Sequence, residues 1–212
     1  MEIFIGIDQS INSTGITIQK FEDDKLIEKK FYIIHNSKLT KREQLAESSL
    51  ASFEYILYDK LEKSNAISNS EYEEFKLKNA INISEKIIEL IINNSLKLDK
   101  VYIGIEGISF NSSQTKSLID LAGLSYIIRY SIFKFFNSHQ DNLGELIIFT
   151  PGEIKKFATG NGNAKKESMI ELFKVMHKEL SIIPKIDDLA DSYWICEYLH
   201  STINIKNSEM DA

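Results

Sequence analysis

The chain has 212 residues, of which 43% are hydrophobic and 26% are charged, as in ordinary soluble globular proteins. Its formal net charge of −6 and its pI of about 5.3 argue against a uniformly basic nucleic-acid-binding coat. Its apolar runs are far shorter than the ~18 residues of a membrane span, and the single cysteine, Cys196, excludes an internal disulfide. We therefore expect one cytoplasmic domain over residues 1–212, with no membrane partner.

The charge is spread unevenly along the chain. Acidic residues crowd between residues 43 and 90, whereas the stretch from Pro151 to Lys185 has a local excess of positive charge. Its seven lysines are Lys155, Lys156, Lys165, Lys166, Lys174, Lys178 and Lys185, and its four glutamates are Glu153, Glu167, Glu171 and Glu179. Any binding of nucleic acid would therefore depend on a local basic patch.

The predicted elements alternate between strands and helices. Apolar runs predict strands at residues 2–8, 14–21, 25–35, 101–107 and 145–150, with EDDK as the hairpin turn between the second and third. Apolar residues at helical spacing predict two long helices between about 40 and 96, broken near 64–70, and further helices at 114–136, 164–180 and 188–203. This order predicts an α/β fold with a mixed five-stranded sheet flanked by helices, and an additional helical segment around 40–96.

Two of the predicted strands end in the same pattern. Along IFIGID (residues 3–8) and VYIGIEG (101–107), one face reads aromatic, glycine, acid, so the strands end on Asp8 and Glu106. In open α/β sheets, ligands bind at the carboxyl ends of strands. Gly6 and Gly104 would leave room on that face. The alternative is that Asp8 begins an Asx-turn and Glu106 is simply a polar strand end.

A third acidic element lies in IDDLADSYWICEYL, residues 186–199. Asp188 and Asp191 are three residues apart and would share one face of a helix. Acids at a helix N-terminus also satisfy free N–H groups and oppose the macrodipole, which is an adequate alternative explanation for Asp188. It explains Asp191 less well, because an apolar run follows that residue directly.

Four carboxylates in one site would repel one another strongly. Each pair about 5 Å apart costs roughly 3 kcal/mol at an effective dielectric constant of 20, so such a cluster requires cations. Carboxylate oxygens favour Mg²⁺ or Mn²⁺ over zinc, and neither the lone cysteine nor the four histidines have zinc-site spacing. Two hard cations held by acids support in-line attack of water on a phosphodiester. The acids therefore predict metal-dependent phosphodiester hydrolysis.

Four motifs, in order along the chain, resemble those of the RuvC-type Holliday junction resolvases. GIDQSINSTG (6–15) resembles the opening motif of that family, and IGIEG (103–107) resembles its second acidic strand. ATGNGNAKKESMIELF (158–173) resembles the glycine-containing loop and lysine-bearing helix start, and DDLADSYWICEYL (187–199) resembles the closing helix. Together the motifs span nearly the whole chain.

The resemblance implies a single RuvC-like nuclease domain with an RNase H-like fold. It implies a homodimer that makes paired, symmetric nicks in four-way DNA junctions, with two Mg²⁺ ions in each active site and Mn²⁺ as a substitute. The implied metal ligands are Asp8, Glu106, Asp188 and Asp191. The resemblance also implies that Lys166 supports cleavage near the scissile phosphate and that its neighbour Lys165 contacts DNA, although both could equally be solvated helix surface.

Further implied DNA contacts come from two regions. Ser13 and Thr14 would be polar lining beside a DNA phosphate, and Phe110 would be a wedge in the junction, although core packing explains Phe110 equally well. Gln9 replaces the proline that often follows the first acid of the family, and the segment at 40–96 is longer than in bacterial resolvases. These departures favour a phage or viral branch, located in the host cytoplasm, that acts on four-way or other branched DNA.

Three other functions are consistent with parts of the pattern. An RNase H-fold nuclease acting on RNA or RNA–DNA hybrids would use the same metal chemistry. An actin-like ATP-binding protein also begins with a strand, an Asp and a polar turn, but it requires two lobes and a second glycine-rich loop, and 212 residues are too few. A non-cleaving junction-binding protein would have no use for four intact acids.

Overall fold

The structure is a computed structural model that describes residues 1–35, 38–58, 68–108, 115–138 and 143–210. Its strands are β1 (Glu2–Asp8), β2 (Ser13–Glu22), β3 (Lys25–His35), β4 (Phe53–Leu57), β5 (Lys100–Glu106) and β6 (Leu143–Phe149). Its helices are α1 (Lys41–Ser49), α2 (Asn69–Asn94), α3 (Thr115–Ser138), α4 (Pro151–Thr159), α5 (Lys166–Met176) and α6 (Ile186–Met210), with a short 3-10 helix at Lys178–Ile182. No helix within these ranges combines the length and apolar character that crossing a bilayer requires.

The strands form one mixed sheet in the order β4-β3-β2-β1-β5-β6. β1, β2 and β3 pair antiparallel, as the predicted meander requires, and β4, β5 and β6 join parallel to their neighbours. The predicted EDDK turn is present, with φ of 48° at Asp23 and 62° at Asp24. Positive φ at both central residues matches the right-handed twist of a hairpin. The α/β class and the mixed sheet are thus confirmed.

The predicted alternation along β1 divides two apolar layers. Ile3, Ile5 and Ile7 are buried on one face, against α2 and α3. Phe4 is buried on the opposite face, in a core that includes Tyr193 of α6. Because Asp8 follows Phe4 and Gly6 in alternation, its side chain belongs to the α6 face of the sheet.

The segment around 40–96 differs from its prediction. Instead of two long helices, it contains the short helix α1, then strand β4, then the 26-residue helix α2. β4 gives the described sheet a sixth strand beside the five that were expected. The five residues FEYIL alternate between buried and more exposed positions, a period of two that is too short to stand out among helical sequence. Helix α4 was likewise not predicted.

Two glycines let α6 lie directly on the sheet. A Cβ at Gly6 would collide with the backbone oxygen of Ser192, and a Cβ at Gly15 would collide with the backbone oxygen of Asp188. The obstructing atoms are helix backbone, which cannot move aside as the end of a flexible side chain can. The close approach brings the start of α6 over β1 and β2.

Replacing Gly6 with alanine should therefore destabilise the protein. We expect Gly6→Ala to lower the free energy of unfolding by about 3 kcal/mol, a fall in Tm of roughly 6–12 °C. Gly123→Ala is the matched control, because a Cβ at that exposed position of α3 would have no neighbour within 4 Å; helix propensity predicts an unchanged or higher Tm. Equal thermal unfolding curves for the two variants would contradict the close packing of α6 on the sheet at Gly6.

Candidate functional site

Asp8 and Glu106 lie side by side on the α6 face of the sheet. β1 and β5 are parallel neighbours with Ile7 opposite Ile105, so the next residue of each strand is the acid. Adjacent strands are about 4.8 Å apart. On the other side of β1, Asp8 pairs with Gly15, which lacks a side chain. The carboxyl ends of two strands therefore present two acids side by side, and the space over Gly15 is taken by the backbone of Asp188.

Helix α6 brings Asp188 and Asp191 to the same place. The backbone of Asp188 packs on Gly15, and the Asp188 carboxylate accepts a short hydrogen bond from the Ser13 hydroxyl. One turn further along, Asp191 Oδ2 lies 2.8 Å from Lys166 Nζ. The same ammonium is 3.3 Å from Asp187 Oδ2. The helix acids are thus anchored from β2 on one side and from α5 on the other.

The four carboxylates influence one another's ionisation. Burial raises the pKa of Asp8 well above its usual value, and the charges of Asp191, Glu106 and Asp188 raise it further, while Lys166 lowers it. Burial, followed by the charge of Asp191, raises the pKa of Glu106 to about 7. Burial also raises the pKa of Asp188 to about 6, against the lowering effect of the Ser13 hydrogen bond. Packing thus brings together acids that resist being ionised together.

Lys166 partly offsets this repulsion. Burial raises the pKa of Asp191, and the adjacent Lys166 ammonium acts in the opposite direction. Asp191 and Asp187 in turn hold the pKa of Lys166 above its usual value although burial opposes this, so the ammonium stays charged. The structure therefore brings Asp8, Glu106, Asp188, Asp191 and Lys166 into one electrostatic cluster. Their catalytic roles stay predictions.

The donor set of this cluster fits a hard divalent cation. Within the described ranges, no three His, Cys, Asp or Glu side chains already converge as a metal-binding group. The chemistry of the donors is nevertheless suitable, because buried carboxylates that repel one another are stabilised when a cation binds between them. Gln9 offers a further oxygen donor next to Glu106. Its Nε2 donates to the Glu106 carbonyl oxygen at 3.0 Å, and its buried Oε1 has no partner among the described residues.

The residues predicted to contact DNA are placed differently. Lys165 is exposed at the start of α5 and borders a hollow of about 640 Å³ with Asn161 and Asn163. Ser13 is buried against Asp188, and Thr14, also buried, donates its hydroxyl to the Ser10 carbonyl oxygen at 2.8 Å. Their contacts with DNA stay predictions. Phe110 lies outside the described residues.

Lys155 is a basic residue of the site to which the sequence assigned no role. It lies on α4, and its charge lowers the pKa of both Glu106 and Asp191, so its ammonium is within electrostatic range of the acids. The signal was present in the sequence: Thr150 and Glu153 form a capping box with Pro151 at the helix start, which marks a helix over residues 151–159. Placing that helix beside the acids required the tertiary structure.

Removing the charge of Asp8 should stabilise the metal-free protein. Because the folded-state pKa of Asp8 is raised, its ionisation destabilises the folded state at every pH above its ordinary value of about 4. We expect Asp8→Asn to raise Tm in EDTA by about 5 °C at pH 8, roughly 2 kcal/mol, and by less at pH 5. Thermal unfolding at the two pH values measures this. The control is Glu145→Gln, at an exposed ion pair with Lys206, which should leave Tm nearly unchanged. If the Tm of Asp8→Asn at pH 8 is equal to or below that of the wild type, the raised pKa of Asp8 is contradicted.

Solved structures resemble this fold over almost its full length. A Thermus thermophilus RuvC structure aligns with a TM-score of 0.55 and 14% identity, covering 95% of this chain and 96% of that one. T. thermophilus RuvC in complex with a Holliday junction substrate aligns with a TM-score of 0.52 and 12% identity, covering 92% and 90%. The yeast mitochondrial Holliday junction resolvase Ydc2 aligns at 0.49 with 11% identity, covering 91% and 76%.

Comparison of the sequence with protein families and curated proteins finds no match. No protein-family model matches the chain. No curated protein matches it either. The two Thermus thermophilus alignments establish the fold: the chain has a RuvC-like, RNase H-like α/β architecture.

Proposed function

We propose that this protein is a metal-dependent endonuclease that cuts four-way or other branched DNA by paired, symmetric nicks, with residues 1–212 acting as one nuclease domain. The observation that carries the proposal is the cluster of Asp8, Glu106, Asp188 and Asp191 at the carboxyl ends of β1 and β5, beside a charged lysine, on a RuvC-like fold. One of the two solved relatives that support the fold is described in complex with a Holliday junction substrate.

Asp8, Glu106, Asp188 and Asp191 would hold two Mg²⁺ ions, for which Mn²⁺ substitutes. Such ions supply an activated water for in-line attack on the phosphodiester and stabilise the leaving oxygen. The remaining steps belong to the chain itself. Gly15 lets the α6 backbone at Asp188 pack against β2 beside Asp8, and Ser13 orients the Asp188 carboxylate. The raised pKa values of the four acids favour binding of a cation over leaving the acids charged and unpaired.

Lysines close to the acids would bind and orient the phosphate. Lys166 and Lys155 approach the cluster from α5 and α4, and Lys165 is exposed at the start of α5. All three belong to the locally basic stretch from Pro151 to Lys185, whereas the net charge of the whole chain is −6. This arrangement would place the DNA backbone over α4 and α5, and binding should weaken as salt concentration rises.

Paired nicks require two active sites, and we propose a homodimer. Helix α3 exposes large apolar side chains that a solitary chain would leave in water: Tyr126 is 69% exposed, Tyr130 65% and Phe133 51%. Aromatic residues of this kind are enriched in interfaces between protein chains. A face of this composition on α3 supports pairing through that helix.

Cleavage of a branched substrate tests the proposal. Supercoiled plasmid carrying an extruded cruciform should be linearised in Mg²⁺ or Mn²⁺, because a dimer cuts both strands in one encounter, and EDTA should stop the reaction. Asp8→Asn should lower the cleavage rate by about 10³-fold while junction binding in Ca²⁺ persists, since about 4 kcal/mol of transition-state stabilisation is lost.

Glu145→Gln, an exposed acid outside the cluster, is the matched control and should cut at the wild-type rate. Nicked circles without linear product would contradict the dimer. If the cruciform stays intact while an RNA–DNA hybrid is cleaved, the substrate is the hybrid and the proposed junction substrate is wrong.

The two lysines should affect the chemical step more than binding. We expect Lys166→Met and Lys155→Met each to lower the single-turnover rate at saturating protein by about 10²-fold, as the loss of one electrostatic contact to the transition state does. Lys206→Met is the control, because it removes an exposed lysine that pairs with Glu145. Glu145 lies opposite Tyr102 near the start of β5, whereas Glu106 lies at the other end of that strand. Unchanged single-turnover rates in both site variants would contradict their proposed roles.

A further inference from the structure

Tyr55 on β4 has a buried hydroxyl with nothing to bond. The residue is 5% exposed, and its hydroxyl oxygen has no hydrogen-bond partner among the described residues. A buried polar group without a partner costs free energy, so its presence in a native structure requires an explanation. β4 belongs to the segment whose function the sequence left open.

Strand register connects Tyr55 to the acidic cluster. Tyr55 pairs with Ile33 on β3, Ile33 pairs with Gly15 on β2, and Gly15 pairs with Asp8 on β1. These residues form one row across the sheet on the α6 face. The backbone of Asp188 packs on Gly15, the residue of that row without a side chain. Tyr55 therefore lies two strands from the point where Asp188 meets the sheet, about 10 Å across.

Three carboxylates influence the Tyr55 hydroxyl electrostatically. After burial, the charges of Glu43, Glu47 and Asp188 raise its pKa, so the hydroxyl keeps its proton and can act as a donor. Two of these acids already have partners. Glu43 Oε2 accepts from both the backbone N–H and the hydroxyl of Thr40, at 2.8 Å each. Glu47 Oε1 accepts from the backbone N–H of Tyr55 itself at 2.8 Å.

Of these three acids, Asp188 is the one that belongs to the acidic cluster, and its carboxylate can accept a further hydrogen bond. Its Oδ2 accepts from Ser13, and its Oδ1 has no hydrogen bond within the described part of the chain. One hydrogen bond leaves a carboxylate free to swivel about its Cβ–Cγ bond, whereas donors on both sides fix its plane. Outer donors of this kind set the orientation and the affinity of ligands that bind metal ions.

We propose that Tyr55 is a positioning residue for Asp188. When Asp188 turns to bind a divalent cation, the Tyr55 hydroxyl donates a hydrogen bond to its carboxylate, opposite the bond from Ser13. The inference rests on the proposed function, because it takes Asp188 as a metal ligand. It gives the β4 segment a role: this additional edge strand carries an outer donor for the nuclease site.

Tyr55→Phe tests the proposal with a readout other than cleavage. We expect the Kd for Mn²⁺, measured by titration calorimetry on the whole protein, to rise about ten-fold. In EDTA the same variant should unfold at the wild-type Tm or slightly above it, since it loses a hydroxyl that has no partner in the metal-free state. A hydroxyl that only supported packing would lower Tm and leave the Kd unchanged.

Tyr32→Phe is the matched control. Tyr32 is also 5% exposed, but it lies on the opposite face of the sheet and its hydroxyl donates to Asn94 Oδ1 at 3.4 Å. Its loss should leave the Mn²⁺ Kd unchanged. If Tyr55→Phe binds Mn²⁺ as tightly as wild type, the positioning role is wrong while the proposed nuclease function stands. If the wild type neither binds Mn²⁺ nor cuts branched DNA, both proposals are wrong.

Discussion

The contact between the α6 backbone and the sheet is the constraint on which the rest of the molecule depends. Gly6 and Gly15 have no side chains, and the helix occupies the space that a Cβ would need. The closeness of this contact places two helix acids beside the two strand acids and sets the buried, mutually repelling environment of the cluster. It also fixes where α5 must run, because Lys166 pairs with Asp191 from that helix. Packing and electrostatics are therefore coupled here: the same close packing of α6 that brings the four acids together also buries them and increases their mutual repulsion.

Much of the sheet could be predicted because its strands are long and strictly patterned. Alternation along IFIGID and VYIGIEG identified both strands, their faces and the direction of Asp8 and Glu106. Strand β4 was not predicted, because its five residues show too little periodicity and its pairing with β3 depends on residues distant in sequence. α4 was missed for a different reason: the capping box from Thr150 to Glu153 was readable, but the helix has only nine residues, fewer than the roughly 11–18 over which helical periodicity is recognised.

The residues of the site also divide into those that could be predicted from the sequence and those that could not. Asp188 and Asp191 could be singled out because a spacing of three residues is a local property of a helix. Lys155 and Tyr55 could not, since their relation to the acids depends on how α4 packs and on a row of pairings through β3 and β2. Local chemistry is visible in a sequence, whereas the outer donors and neighbouring charges that tune it depend on tertiary structure.

The hydrogen bond between Ser13 and Asp188 joins residues 175 positions apart. Contacts of such long range form late, because the chain must lose a large amount of conformational entropy before they contribute. The β1–β2–β3 meander can assemble from neighbouring residues, but the cluster is complete only when α6 docks on it. A ribosome-bound chain from which α6 has not yet emerged therefore has Asp8 and Glu106 without Asp188 and Asp191. The order of the elements along the chain therefore places assembly of the four-acid cluster after the synthesis of α6.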